Sequence, residues 1–447
     1  MTTTPATLEE VELSPAPLEH YRPLLGDEAF ATFRNAMHEF AAKTRGRVVW
    51  NVNSTGRGGG VAELLSALIP YDLAAGVDER WVAIEGSHDF FAVTKKIHTL
   101  LHGVAVDGVE LTAEERRVYE ETLVPNASAL LERMRPGDVA LLHDPQTAGL
   151  VPALTERDIK VVWRSHIGID QPNAIVRGMW RFLSRYLSTA SAFVFSREAY
   201  IWDECERSRV RIIAPCIDPF TSKNRDLGDE ELHAVLARSH VFERVPASAR
   251  FVTQVSRWDR LKDPVGVVRM FALHVAPFAD AWLVLAGPQV TSVDDDPEQP
   301  EILAEVRAAT ETFDTKIRDR IVITQIPMRD LDENALIVNA LQHQAAVVVQ
   351  KSIAEGFGLT VAEAMWKSRP VVASRVGGIE DQIENGKSGV LIDDPNDLAT
   401  FGSAVVSQLA DPERATELGR QARLRVISEF LGPRHLMQQA ELISSLV

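Results

Sequence analysis

A chain of 447 residues is too long for one core of ordinary size and implies two or three domains. Its 47 Lys and Arg against 63 Asp and Glu give a net charge of −16, which argues against nucleic acid or anionic lipid as partners, since both select basic faces. Apolar and charged fractions of 45% and 25% are globular values and do not favour disorder; a small anionic ligand held by a local cation cluster stays open.

The first 45 residues carry no pattern that assigns them. Their opening, MTTTPATLEEVELSPAP, has neither a basic n-region nor an apolar core, so no signal peptide is expected. No apolar run approaches a membrane span, and Cys205 and Cys216 are too few for a disulfide framework or a zinc site. A cytoplasmic location follows as the expectation.

From Val48 onward, short apolar runs alternate with helical periodicity. Strands are predicted at Val48–Val52, Trp81–Glu85, Val139–His143, Val161–Arg164, Ala192–Ser196 and Val210–Ala214, with helices at Val61–Ala75, Glu114–Met134 and Asn173–Leu187. The pattern restarts after Pro215. Strands are predicted at Phe251–Ser256, Trp282–Ala286, Ile321–Gln325, Ala346–Gln350, Val371–Ser374 and Val390–Ile392, with helices between and after them. The fold class is α/β: two Rossmann-like domains, 1–216 and 217–430, with a terminal helix in 431–447 as a candidate to cross back to the first. Thr291–Pro300 reads as a solvated acidic loop, because it lacks the glycine turn and terminal Glu of a calcium loop. Two such sheets facing each other imply a cleft, and ligands of open α/β sheets bind beyond the C-terminal strand ends.

Three constellations sit at strand ends. Gly58–Gly59–Gly60 opens a helix, where a bare backbone and free N–H groups suit an anion; a flexible turn is the plainer reading. Arg257 and Lys262, in SRWDRLKD, offer a planar fork and a mobile point charge of the kind a diphosphate needs; solvated surface charge is the alternative. The most specific is Ser352–Glu363, SIAEGFGLTVAE. Gly356, Phe357, Gly358 and Leu359 lead into a helix whose amides favour phosphate oxygens, Glu363 lies one turn in, within reach of a ribose diol, and Glu355 faces a polyol. Glu355 could instead serve only the helix dipole.

Glu355 and Glu363 around GFGL, preceded by Arg257 and Lys262, resemble the retaining glycosyltransferases of the two-Rossmann (GT-B) fold. NVNSTGRGGGVAELL, AIEGSHDFFAVTKKIH, LLHDPQTAGL, WRSHIGID, and AGP followed by DDPE resemble, more narrowly, the trehalose synthase (glycosyltransferring) and trehalose phosphorylase group. The resemblance implies two facing Rossmann-like domains with the active site in the cleft between them. It implies that Arg257 and Lys262 bind the donor diphosphate, Glu363 the ribose, Glu355 and His166 the transferred sugar, and Gly59, Gly60 and the Gly356–Leu359 amides the phosphate region. Glu85, Asp89 and Lys95 are acceptor candidates; His143 and Asp144 read equally well as strand-end structure. Arg57 and Gly168 depart from the group's pattern and bear on the acceptor.

The expected reaction moves glucose from a nucleoside diphosphate glucose to the anomeric hydroxyl of glucose or a similar sugar. The nucleotide sugar is a co-substrate; no cofactor and no metal are expected. A trehalose phosphorylase using glucose 1-phosphate is the nearest alternative, and a non-catalytic nucleotide-sugar sensor a more distant one. A homodimer is the base-rate expectation.

Overall fold

The computed structural model describes residues 6–239, 243–246, 248–290 and 298–447. The chain forms two compact units, Met1–Cys216 with Gly432–Val447, and Ile217–Leu431.

The first unit is built on seven strands: β1 (Glu9–Val11), β2 (Val49–Asn53), β3 (Glu79–Ala83), β4 (Val139–His143), β5 (Lys160–Ser165), β6 (Ala192–Phe195) and β7 (Val210–Ile212). Their order is β1-β3-β2-β4-β5-β6-β7, parallel throughout except for β1, which runs antiparallel to β3 at the edge. β2 is buried along its whole length although its sequence is VWNVN. Its two asparagines have partners inside: Asn51 Nδ2 donates to Glu79 Oε1 at 2.6 Å, and Asn53 Oδ1 accepts the Trp81 indole N–H at 2.8 Å. Buried amides persist only where such bonds are made.

The second unit has six strands, β8 (Phe251–Val255), β9 (Trp282–Pro288), β10 (Ile321–Ile326), β11 (Val347–Gln350), β12 (Val371–Ser374) and β13 (Val390–Ile392). All are parallel, in the order β10-β9-β8-β11-β12-β13. This is the doubly wound 3-2-1-4-5-6 order, whose direction of winding reverses between β8 and β11. In the first sheet the reversal falls between β2 and β4. At a reversal the two following crossovers leave to opposite faces, and a crevice opens beyond the strand ends.

Three expectations need correction. The strand expected at Trp81–Glu85 lies at Glu79–Ala83. Its polar start, Glu79–Arg80, hides it from an apolar-run criterion, yet Glu79 is buried against Asn51, and Glu85 falls in the loop beyond. His88–Leu101 is a helix that strand-and-gap reading passes over. Ser87 caps it by accepting the Phe90 N–H at 3.2 Å, and Phe90, Val93, Ile97 and Leu100 are buried at helical spacing. The unassigned N-terminal stretch carries β1 and the helix Asp27–Lys43, which buries Phe30, Phe33, Met37 and Phe40 along one stripe. The acidic loop Thr291–Pro300, with most of DDPE, lies outside the described residues over 291–297.

The chain's last helix, Gly432–Ser444, packs on the helices Asp27–Lys43 and Gly59–Ala75 of the first unit. His435 is buried there, accepting from Arg164 at Nε2 (2.8 Å) and bonding the Ala214 carbonyl through Nδ1 (3.1 Å). No described helix is long and apolar enough to cross a membrane.

Candidate active site

In the second unit the winding reversal places two loops side by side. One follows β8 and carries Arg257 and Lys262; the other follows β11 and carries Lys351–Leu359. Gln254 staples them: its Nε2 donates to the Lys262 carbonyl at 2.8 Å and its Oε1 accepts the Lys351 N–H at 2.9 Å. Ile353 N–H reaches the Leu261 carbonyl at 2.7 Å. Each loop also gives a lysine to the other's carboxylate, Lys262 to Glu355 and Lys351 to Asp263. Charge-assisted bonds of this kind, largely shielded from water, are the strong ones.

The structure therefore brings Lys262 and Glu355 together. Arg257, 48% exposed, pairs with Asp259 at 3.1 Å. Asp259 in turn holds the turn by accepting the Leu261 N–H at 2.8 Å.

Gly356–Leu359 runs into the helix Leu359–Trp366 through Gly358, whose φ of +84° is a left-handed conformation that an L side chain resists. The loop is backed by Gly378, where a Cβ would sit 2.7 Å from both the Gly356 carbonyl oxygen and Phe357 Cα. Gln382 Nε2 donates to the Phe357 carbonyl. The cradle is thus held from behind, and the first N–H groups of the helix lack intrahelical acceptors.

Glu363, fifth in that helix, is buried. Its Oε1 lies 3.5 Å from Lys223 Nζ, and its Oε2 is buried with no hydrogen-bond partner. A buried carboxylate oxygen without a donor is costly unless a ligand supplies one. Lys367 lies beneath, donating to Asn224 Oδ1, Gln342 Oε1 and the Glu363 carbonyl at 3.2, 3.0 and 3.3 Å. Burial pushes the Lys367 ammonium down to about 7, against the pull of the nearby Glu363 carboxylate. Lys223 and Lys367 escape sequence reading because a single lysine in a polar loop, or at a helix end, carries no motif.

In the first unit the reversal falls between β2, which leads to the Gly58–Gly60 turn, and β4, whose end carries His143 and Asp144. Gly58 and Gly59 have φ of +71° and +80°, and the helix Gly59–Ala75 starts there. Gly56 is in close packing, since a Cβ would meet Val11 of β1 at 2.7 Å. Arg57 is exposed beside it.

His166 follows β5. Its Nε2 lies 3.0 Å from His143 Nδ1, and its backbone N–H donates to Asp144 Oδ1 at 2.7 Å. Asp144 holds a left-handed φ of +63° to do so. Burial, reinforced by the Arg164 guanidinium, holds His143 down to about 3 and His166 well below the ordinary imidazole value, so both are neutral. Burial raises Asp144 to about 7, opposed by the His166 amide and Arg164.

Glu85 lies beyond the end of β3, its Oε2 accepting the Thr7 N–H at 2.6 Å. Asp89 is largely exposed in the first turn of the His88–Leu101 helix, and Lys95 is half-buried two turns on. Gly168, where the resemblance leads one to expect a charged or polar residue, has a steric reason: a Cβ would meet Tyr200 at 2.0 Å. Among the described residues no group of three or more His, Cys, Asp or Glu could hold a metal ion.

Two parallel α/β sheets with cations, glycine turns and carboxylates at their strand ends define a GT-B-fold glycosyltransferase. Residues 51–202 match the family described as "Trehalose synthase, N-terminal domain", and residues 238–425 match "Glycosyl transferases group 1". A trehalose synthase of Pyrococcus horikoshii is 34% identical over 430 residues, 96% of each chain. A trehalose phosphorylase of Grifola frondosa is 27% identical over 84% of this chain and 54% of its own length. In fold, a UDP-forming α,α-trehalose-phosphate synthase from Burkholderia xenovorans superposes with a TM-score of 0.70 at 14% identity, over 89% of this chain and 98% of that one. The chain belongs to the trehalose synthase family.

Proposed function

We propose that the protein is a retaining glycosyltransferase that moves glucose from a nucleoside diphosphate glucose to the anomeric hydroxyl of glucose or a glucose-like sugar, giving trehalose or an analogue. The observation that carries this reading is Glu363: a buried carboxylate with one oxygen unpartnered, one turn behind a glycine loop and beside Lys223 and Lys367. A ribose diol supplies the donors that oxygen lacks, and the loop amides with Arg257 and Lys262 answer the diphosphate.

In the proposed step the bond from the sugar C1 to the donor phosphate oxygen breaks and a bond from C1 to the acceptor oxygen forms on the same face. The acceptor proton passes to the departing phosphate. Charge develops on that phosphate, so fixed donors aimed at it supply the main rate gain. Arg257, Lys262 and the amides of Gly59, Gly60 and Gly356–Leu359 take this role; Glu355 and His166 hold the transferred sugar. Glu85, Asp89 and Lys95 are assigned to the acceptor. The same reading carries a metal-independent reaction, a cytoplasmic location and a homodimer.

A donor-by-acceptor panel, scored by the mass of the disaccharide and by nucleoside diphosphate release, tests it. Release that requires both donor and free sugar supports the synthase reading. Phosphate-dependent breakdown of trehalose without nucleotide replaces it with a phosphorylase, a reading that the Grifola frondosa relative favours.

A further inference from the structure

A line of buried polar side chains runs from the interior of the first unit to His166. It starts at Asp72, near the end of the helix that Gly59 opens, and passes through Glu79 on β3, Asn51 on β2 and His143 on β4. All four are at most 5% exposed. Asn51 Nδ2 donates to Glu79 Oε1 at 2.6 Å, Asn51 Oδ1 lies 3.0 Å from His143 Nε2, and His143 Nδ1 lies 3.0 Å from His166 Nε2.

The proton positions along this line follow from donor counting. Asp72 Oδ2 and Glu79 Oε2 are both buried with no donor facing them, and the two carboxyls interact closely enough that sharing one proton between them is the arrangement that avoids two adjacent buried charges. Burial favours keeping that proton, raising Asp72 and bringing Glu79 to about 7. With one proton in the pair, Glu79 Oε1 is an acceptor and takes the Asn51 amide N–H. Asn51 therefore turns its carbonyl oxygen to His143, and His143 must carry its hydrogen on Nε2. A neutral His143 then has a bare Nδ1, which accepts from His166 only if His166 carries its hydrogen on Nε2. Arg164, close to both rings, disfavours a second proton on either.

We infer that His143 is a positioning residue for His166, fixing its ring and forcing its Nε2–H tautomer, so that His166 meets the substrate with Nδ1 as a hydrogen-bond acceptor for a sugar hydroxyl. The adjacent Asp144 holds the His166 backbone through the 2.7 Å bond from its amide, so one dipeptide fixes both the ring and the main chain. The part concerning a sugar hydroxyl rests on the function proposed above; the tautomer does not.

The test is ¹⁵N NMR of histidine-labelled, ligand-free protein, with His143→Gln and His166→Gln used to assign the two rings. Nε2–H on both rings is the expected result. An Nδ1–H or doubly protonated His166 overturns the inference. The spectrum is taken without substrate, so a wrong sugar assignment leaves it unchanged, and only failure of all transfer activity speaks against the functional reading. In turnover assays His143→Leu is expected to lower kcat about 10²-fold, as small displacements of reacting groups do, with the donor KM within a few fold. His143→Gln, whose amide can accept from His166 and donate to Asn51, is expected to restore most of that loss. A His143→Leu protein with unaltered kcat, or a Gln variant no better than Leu, sinks the positioning role. If the Leu variant fails to fold, the Gln variant's turnover and its His166 tautomer still decide.

Discussion

Lys262 and Glu355, 93 residues apart in the chain, are each other's counter-ion. The pair joins the two strand-end loops at the winding reversal of the second sheet, so the group proposed to meet the diphosphate and the group proposed to meet the sugar are one electrostatic unit before either ligand arrives. Lys262→Ala is therefore expected to cost about 10²–10³ in kcat and also about 3 kcal/mol of stability, because the largely shielded Glu355 carboxylate loses its lysine counter-ion. Arg257→Ala is expected to show a similar kinetic loss with no change in melting temperature, since Arg257 is half exposed. Turnover by nucleoside diphosphate release and thermal melts of the two variants separate the effects; identical melts for both would refute the paired role of Lys262.

Glu363→Ala is expected to weaken donor binding about 10–100-fold, the equivalent of about 1.5–3 kcal/mol for hydrogen bonds to a charged group. Its effect on kcat at saturating donor is expected to be smaller. Calorimetric titration with the nucleoside diphosphate reads this directly, and an unchanged Kd removes Glu363 from the ribose site.

Gly378→Ala places a methyl 2.7 Å from the Gly356 carbonyl and Phe357 Cα, so the loop must move. A fall in kcat/KM of at least tenfold is expected, as a misplacement of about 1 Å can cost 10²-fold. Gly228→Ala is the control, because a Cβ there meets nothing within 4 Å and its φ is −70°. Equal activity of the two variants would show that the cradle tolerates displacement.

The buried His143 gives a signed pH prediction. Its folded value is depressed to about 3, so its contribution is fully present above the unfolded value of about 6.5 and is lost as pH falls toward 3. At pH 5 this amounts to about 2 kcal/mol relative to pH 8. His143→Gln removes the term, so the substitution is expected to be about 2 kcal/mol less destabilising at pH 5 than at pH 8. Denaturant melts at the two pH values measure the difference, and a pH-independent effect would mean that His143 is not buried neutral.

Much of the scaffold is legible because parallel strands covered on both faces read as apolar runs. Val139–His143, Val371–Ser374 and Val390–Ile392 fall where the sequence puts them. Lys262 and Glu355 can be picked out as site candidates from their strand-end motifs, but their mutual pairing depends on β8 and β11 being neighbours, and strand order is not a local property. Asn51, Glu79 and His143 are harder still. Polar residues in a strand lower its apolar score, and their bonds to one another exist only once three strands are in register. The helix Asp27–Lys43 has a clear stripe of Phe and Met, and only its lack of any neighbouring motif left it unassigned.

The terminal helix has a consequence for how the molecule is made. The first unit is interrupted by the whole of the second and is completed only by Gly432–Val447, where His435 meets Arg164. During synthesis the second unit emerges intact, whereas the first waits for Gly432–Val447. At typical elongation rates the stretch after Cys216 takes roughly ten to fifty seconds to make. Over that interval Arg164 lacks its imidazole partner and the surface that the last helix will cover stays open. Nascent chains arrested after Cys216 should therefore be protease-sensitive in the unit that was translated first.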